Sequence, residues 1–267
     1  MYIPDEYSYQ IETFRDLVLT TQNYSEAPGA VRADFLFSDI KGDLSDIIKE
    51  NPLFKITRFM SSVLLFHISK FYFNLRVKHR DRVPKKGSFI VASNHTSLLD
   101  FPLICISLPP HAMRGAAVPA AKDYFFRNPF TSLLVQVMFR AFPLERYGNF
   151  FEGLKVCAKV IRSEKPLILF PEGTRSVKGT LQPFRPGIGL LAFELNVPIL
   201  PVYIKGAYEA LPKGALFPVP QPVEIRFGTP IIPQDYEKFK DKIPNYKIYQ
   251  KIVEELRKQV VALMKEE

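Results

Sequence analysis

The sequence predicts an α/β domain built on a mixed, largely parallel sheet flanked by helices, with an N-terminal amphipathic helical segment ahead of it. Three observations carry that reading. Strand-like and helix-like runs alternate from Ser88 onward, residues 53–77 have one basic and one apolar side, and the charge changes sign near residue 50.

The 267 residues divide accordingly into an acidic appendage (1–50), an amphipathic helical region (51–80) and the α/β domain (81–267). Residues 1–50 hold four basic and ten acidic side chains, a net of −6, which leaves 32 basic and 17 acidic, a net of +15, for the rest. The Pro28-Gly29 step reads as part of a linker over 20–33, and 34–50 as a short amphipathic helix.

In the segment 53–77, Lys55, Arg58, Ser62, Ser69 and Arg76 fall on one stripe. Leu53, Met60, Leu64, Ile68, Phe71 and Leu75 fall on the other. A basic face opposite a Phe- and Leu-rich one suits a helix lying in the plane of a membrane interface, and docking on the protein's own core fits the same pattern. The segment is too charged to span a bilayer: its longest charge-free run, 59–69, is well short of the roughly 20 residues a crossing needs.

Strands are expected at 89–92, 117–120, 141–144, 167–170, 199–204 and 223–227. Helices are expected at 97–108, 128–140, 150–164, 187–195 and 243–265. In sheets of this kind ligands sit outside the carboxyl ends of the strands. The aromatic patch from Tyr124 to Phe130 reads as core packing, with an acyl channel or lipid contact as the alternative.

A basic body seeks an anionic partner: a phospholipid surface, a phosphorylated substrate or nucleic acid. Nucleic acid is excluded, because there is no zinc-finger spacing, no RNP-like aromatic motif and no compact basic run. Zinc is excluded as well, since His67, His79, His95 and His111 are scattered and no cysteine cluster supports them. Cys105 and Cys157 lie in apolar runs and read as core thiols of a reducing compartment. Met1–Gln10 is polar and acidic, so no secretory signal is expected.

Two motifs follow apolar strands. Asn94-His95-Thr96-Ser97-Leu98-Leu99-Asp100 sets an imidazole and a carboxylate five positions apart. Ser97 and Asp100 match a helix-start capping pattern, which explains Asp100 structurally but leaves His95 unexplained. A neutral imidazole removes a proton from a hydroxyl, and a carboxylate beside it fixes the tautomer and steadies the cation formed. Phe170-Pro171-Glu172-Gly173-Thr174-Arg175-Ser176 adds a glycine turn carrying an acid and an arginine. Gly173 permits a positive φ, and Arg175 presents two parallel donors to a phosphate. An ion pair from Arg175 to Glu172 that shapes the turn is the structural alternative.

In this order the motifs resemble the glycerolipid acyltransferase family, whose members include the 1-acylglycerol-3-phosphate acyltransferases. The likeness covers about residues 80–230 and all four family blocks. Besides the two motifs it includes Phe142-Pro143-Leu144-Glu145-Arg146 and Val197-Pro198-Ile199-Leu200-Pro201-Val202. The second block departs from the pattern, since the family opens it with a glycine where this chain has Arg140. The resemblance implies His95 as general base with Asp100 as its orienting acid. It also implies an acceptor site formed by Glu172, Gly173, Thr174 and Arg175, with Arg146 and Lys122 as further phosphate-binding candidates.

The reaction it implies is direct acyl transfer, without an acyl-enzyme, to the sn-2 hydroxyl of 1-acylglycerol-3-phosphate, giving phosphatidic acid. The donor is acyl-CoA or acyl-carrier protein as co-substrate, and no metal or redox cofactor is needed. No Gly-x-Ser-x-Gly elbow is present, which argues against a serine hydrolase. Other lysophospholipids, glycerol-3-phosphate or a lyso-aminolipid stand as alternative acceptors, and an inactive lipid-binding relative as an alternative of another class. The partners implied are the lysophospholipid acceptor, the acyl donor and a membrane surface, with the chain monotopic or peripheral on the cytoplasmic face.

Overall fold

The computed structural model describes residues 51–145 and 150–266, together with Phe37, residues 40–44 and residues 47–48. The first long helix, α1 (Pro52–Tyr72), starts where the Asn51 side chain accepts the Phe54 N–H at 2.7 Å and Pro52 takes the first helical position. It ends before the expected residue 77. Asn74 adopts a left-handed conformation (φ 43°) that turns the chain into the strand β1 (Arg76–Lys78).

The strands that follow are β2 (Ile90–Ser93), β3 (Val118–Ala121), β4 (Ala141–Leu144), β5 (Leu167–Leu169), β6 (Ile199–Lys205) and β7 (Glu224–Phe227). They form a five-stranded sheet in the order β1-β7-β6-β2-β5 and a parallel β3-β4 pair. A parallel bridge from Ala117 to Leu167 joins that pair to β5. Among the described strands the β6-β7 pairing is antiparallel and the other four are parallel, with one isolated antiparallel bridge from Ile199 to Ile231, so the sheet is mixed and mostly parallel, as expected. The β1 pairing was hidden in the sequence, because Arg76 and Val77 fit the end of the two-sided helical pattern read over 53–77 and three residues are too few to show a strand period.

Between the strands lie α2 (Asp100–Ser107), α3 (Pro110–Met113), α4 (Lys122–Phe125), α5 (Pro129–Phe139), α6 (Phe150–Arg162), α7 (Gly187–Glu194) and α8 (Ala207–Ala210), with α9 (Asn245–Lys265) at the end. Successive strand side chains point to opposite faces and build two cores. Ile90, Ala92, Leu167 and Ile199 pack with α6, α7 and α9. Val91, Ile168, Leu200 and Val202 pack with α2 and with Val135 of α5.

Phe37, Leu44 and Ile48 of the acidic N-terminal portion are buried in the first core. Residues 40–44 are irregular rather than helical, and the rest of the helix expected over 34–50 lies outside the described residues except Phe37 and residues 47–48. Gly42 is seated against α6, where an added Cβ would stand 2.6 Å from the Arg162 carbonyl oxygen.

Helix α1 is turned opposite to an ordinary surface helix. Its polar residues Arg58, Ser62 and Ser69 are buried, while Leu53, Met60, Leu64, Ile68 and Phe71 are exposed. The Arg58 guanidinium donates to the carbonyls of Val137 (3.0 Å) and Gln136 (3.1 Å) in the last turn of α5, where a cation is favoured. The aromatic patch divides: Phe125 and Phe126 pack against the second core, whereas Tyr124 and Phe130 are exposed.

Candidate active site

The site begins at the carboxyl end of β2. The Asn94 side chain imitates one more strand residue: its Nδ2 donates to the Ile204 carbonyl at 3.0 Å and its Oδ1 accepts the Ile204 N–H at 2.8 Å. That anchor on β6 sets His95 just past the strand. The His95 Nδ1 lies 2.9 Å from Asp100 Oδ2, which also accepts the backbone N–H groups of Thr96 (2.6 Å) and Ser97 (2.8 Å). An oxygen already taking two amide N–H bonds is an acceptor, so Nδ1 carries the hydrogen, and in the neutral ring the lone pair is on Nε2.

Asp100 is wholly buried. It serves helix start and histidine at once, for the bond from Ser97 N–H is half of a capping box. The helix itself begins at Asp100 rather than at residue 97, because the turn 96–99 is spent wrapping this carboxylate. The far side of the imidazole is stacked on Phe170, with ring centres 3.9 Å apart and planes 16° from parallel.

Phe170 and the glycine turn follow β5, the neighbour of β2. The turn is sewn to the histidine through the backbone. Glu172 Oε1 accepts the His95 N–H at 3.0 Å, and the Ser176 N–H donates to the His95 carbonyl at 2.8 Å. Glu172 Oε2 accepts the Gln182 N–H at 3.3 Å. Burial pushes the Glu172 carboxyl up to about 7; the two amide bonds oppose the rise and the nearby Asp100 charge adds to it. The ion pair from Arg175 to Glu172, the structural alternative for that arginine, is absent among the described residues: the Glu172 oxygens pair with backbone N–H groups instead.

Gly173 has φ 75°, as its role in the turn requires. It also faces a neighbour that local spacing did not reveal: a Cβ here would lie 2.7 Å from Arg185 Nε and 2.8 Å from its Cζ. The Arg185 guanidinium thus rests over the turn, and the residue is anchored there by its backbone N–H, which donates to the Pro171 carbonyl at 2.8 Å. Arg185 and Thr174 are exposed and Arg175 is half-buried. Among the described residues neither guanidinium has a hydrogen-bond or ion-pair partner.

Lys122 stands at the carboxyl end of β3, on the same sheet edge as His95. Strand spacing puts it about 10 Å from β2, two strands away. Its ammonium is 2.7 Å from Glu145 Oε1 at the end of β4 and holds that carboxyl below its usual range. Arg146 lies outside the described residues. Burial raises both thiols, Cys105 and Cys157, to about 12, which removes them from nucleophilic chemistry.

Asn94, Phe170 and Arg185 are the site residues missed from sequence. The first two sit inside the motifs and were legible as neighbours of the key groups. Arg185 carried no local signal. The Arg140 departure has a backbone explanation: it closes α5 in the left-handed region (φ 50°), where glycine is the least strained choice. Its guanidinium is buried and donates to the Arg114 carbonyl.

The family model for acyltransferases matches residues 74–205. The chain is 32% identical over 158 residues to a 1-acyl-sn-glycerol-3-phosphate acyltransferase of Cocos nucifera, covering 59% of this chain and 49% of the other. It is 36% identical over 173 residues to that of Limnanthes alba (64% and 59%). For that of Borreliella burgdorferi the figures are 30% over 138 residues (51% and 53%). The chain spans about half the length of the curated relatives it matches. The fold is similar to the crystal structure of the 1-acyl-sn-glycerophosphate (LPA) acyltransferase PlsC from Thermotoga maritima. That likeness has a TM-score of 0.60 and 21% identity, over 98% of this chain and 95% of that one.

Proposed function

We propose that this chain, whose residues 74–205 match the acyltransferase family model, is an acyltransferase that esterifies the sn-2 hydroxyl of 1-acylglycerol-3-phosphate to give phosphatidic acid. The donor is an acyl thioester, either acyl-CoA or acyl-carrier protein, and no other cofactor takes part. One observation carries the reading: His95, oriented by Asp100, is joined through its backbone to the glycine turn that bears Arg175 and lies under Arg185, two guanidinium groups without a partner among the described residues.

The acceptor hydroxyl donates to His95 Nε2 and attacks the thioester carbonyl as its proton passes to the ring. Asp100 holds the Nδ1–H throughout and steadies the imidazolium. Collapse of the tetrahedral species breaks the C–S bond. The departing thiolate takes the proton from Nε2, which restores the base. Arg175 and Arg185 hold the acceptor phosphate, and the bare Gly173 leaves room for the Arg185 guanidinium over the turn. Lys122 stands further out at the end of β3, and it and Arg146 draw the anionic substrates toward the site.

The same reading places the protein on a membrane. The exposed row Leu53, Met60, Leu64, Ile68 and Phe71 on α1 enters the interface, while the +15 body meets anionic head groups. Among the described residues no helix is long and apolar enough to cross a membrane. The cytoplasmic face suits the two unpaired thiols.

The test is incubation of the purified protein with lysophosphatidic acid and a labelled acyl-CoA or acyl-carrier protein, beside the His95→Ala variant. Phosphatidic acid forms with the native protein, and the rate drops at least about 10²-fold in the variant. Product formation unchanged by the substitution refutes the mechanism.

A further inference from the structure

The connection between α8 and β7 carries Leu216 and Phe217 at its tip, 87% and 82% exposed. They lie outside the helix already assigned to the membrane. The tip is built rather than loose. The Ala215 N–H donates to the Pro212 carbonyl at 3.1 Å across Gly214 (φ 101°), and the Val219 N–H donates to the Ala210 carbonyl at 2.8 Å. Prolines 212, 218, 220 and 222 restrict the rest of the segment.

This segment touches both the catalytic turn and α1. At one end Ser97 Oγ donates to the Leu211 carbonyl at 2.8 Å, and the Tyr208 hydroxyl donates to the Val177 carbonyl at 3.0 Å. At the other, the Tyr72 hydroxyl donates to the Pro218 carbonyl at 3.0 Å. The residues adjoining that bond are Phe217 on the segment and Phe71, 87% exposed, on α1. The tip is therefore tied to the C-terminal end of α1, where the exposed row of that helix ends.

We propose that Leu216 and Phe217 are a second lipid-inserting element, which enters the same bilayer as α1 and sets the height of His95 above it. This rests on the membrane reading given above. Two side chains free on nearly all sides form a point, and a bilayer admits an apolar point without a matching pocket. The exposed Lys213 beside them meets anionic head groups, as the +15 body does.

The chain has no tryptophan, so Phe217→Trp and Phe71→Trp each introduce a single reporter. Both full-length proteins are mixed with phosphatidylcholine/phosphatidylglycerol vesicles carrying brominated acyl chains. Emission of the Phe217→Trp protein shifts to the blue and is quenched about as strongly as that of Phe71→Trp. Quenching of Phe71→Trp alone overturns the second element and leaves α1 in the membrane. Quenching of neither removes the membrane reading and this proposal together.

A second measurement reads the height. Leu216→Asp/Phe217→Asp lowers turnover of vesicle-borne lysophosphatidic acid about tenfold or more, with little change on a short-chain acceptor below its micelle concentration. Equal loss on both acceptors assigns the tip to the site alone and overturns the proposal, as does no loss on either.

Discussion

His95 and Glu172 are joined through the backbone: the histidine amide donates to Glu172 Oε1 at 3.0 Å. The acid of the glycine turn thus positions the base without touching its ring. The same carboxylate grips the Gln182 amide, so it ties the segment that bears Arg185 to the segment that bears His95.

That linkage gives Glu172 a pH signature. Its carboxyl, raised from 4.5 to about 7 in the folded chain, keeps a proton there that the unfolded chain has lost. Stability from this group is fully present below 4.5 and is lost as pH rises through about 7. In Glu172→Gln that slope is absent. Urea unfolding of both proteins at about pH 5 and about pH 8 reads the difference; parallel behaviour would contradict the assignment.

Asp100 acts through His95. Asp100→Asn presents an amide where Nδ1–H, Thr96 N–H and Ser97 N–H all need an acceptor. We expect kcat to fall about 10³-fold or more with the acceptor KM little changed. A rise in KM with kcat preserved would make Asp100 a binding group instead.

Arg185 is the sharper test of the phosphate site, because its role rests on the fold alone. Arg175→Ala and Arg185→Ala each raise the KM for lysophosphatidic acid about tenfold or more, as for loss of a charged hydrogen bond. Neither affects an acceptor lacking the phosphate. Gly173→Ala, which drives a Cβ into the Arg185 guanidinium, gives the same phenotype. A uniform loss with both acceptors would place Arg185 in a structural role.

Arg58 holds α1 by its polar side. Arg58→Met removes the donors to the Gln136 and Val137 carbonyls and costs about 1–3 kcal/mol. The readout is earlier proteolysis within α1 and a lower Tm, with turnover of a soluble acceptor retained. An unchanged Tm would mean that packing alone docks the helix.

The periodicities of the sequence located every strand but β1 and every long helix, with ends shifted by up to five residues. The largest shift, at α1, came from one left-handed asparagine. The His95–Asp100 pair was legible because both groups lie in one turn. Asn94 and Phe170 were visible only as motif flanks. The pairing of Lys122 with Glu145 joins positions 23 apart on two strands and had no signal along the chain.

By itself the sequence determined the alternating α/β order, the two motifs at strand ends and the two-sided character of α1. These are local properties, set by the 3.6- and 2-residue periods and by turn chemistry. The tertiary structure decided which side of α1 faces the protein, since a period says which residues share a face but not what that face meets. It also decided that Glu172 binds the His95 amide 77 positions away and that Arg185 covers Gly173. Strand order brings those segments together, and strand order is a property of the whole sheet.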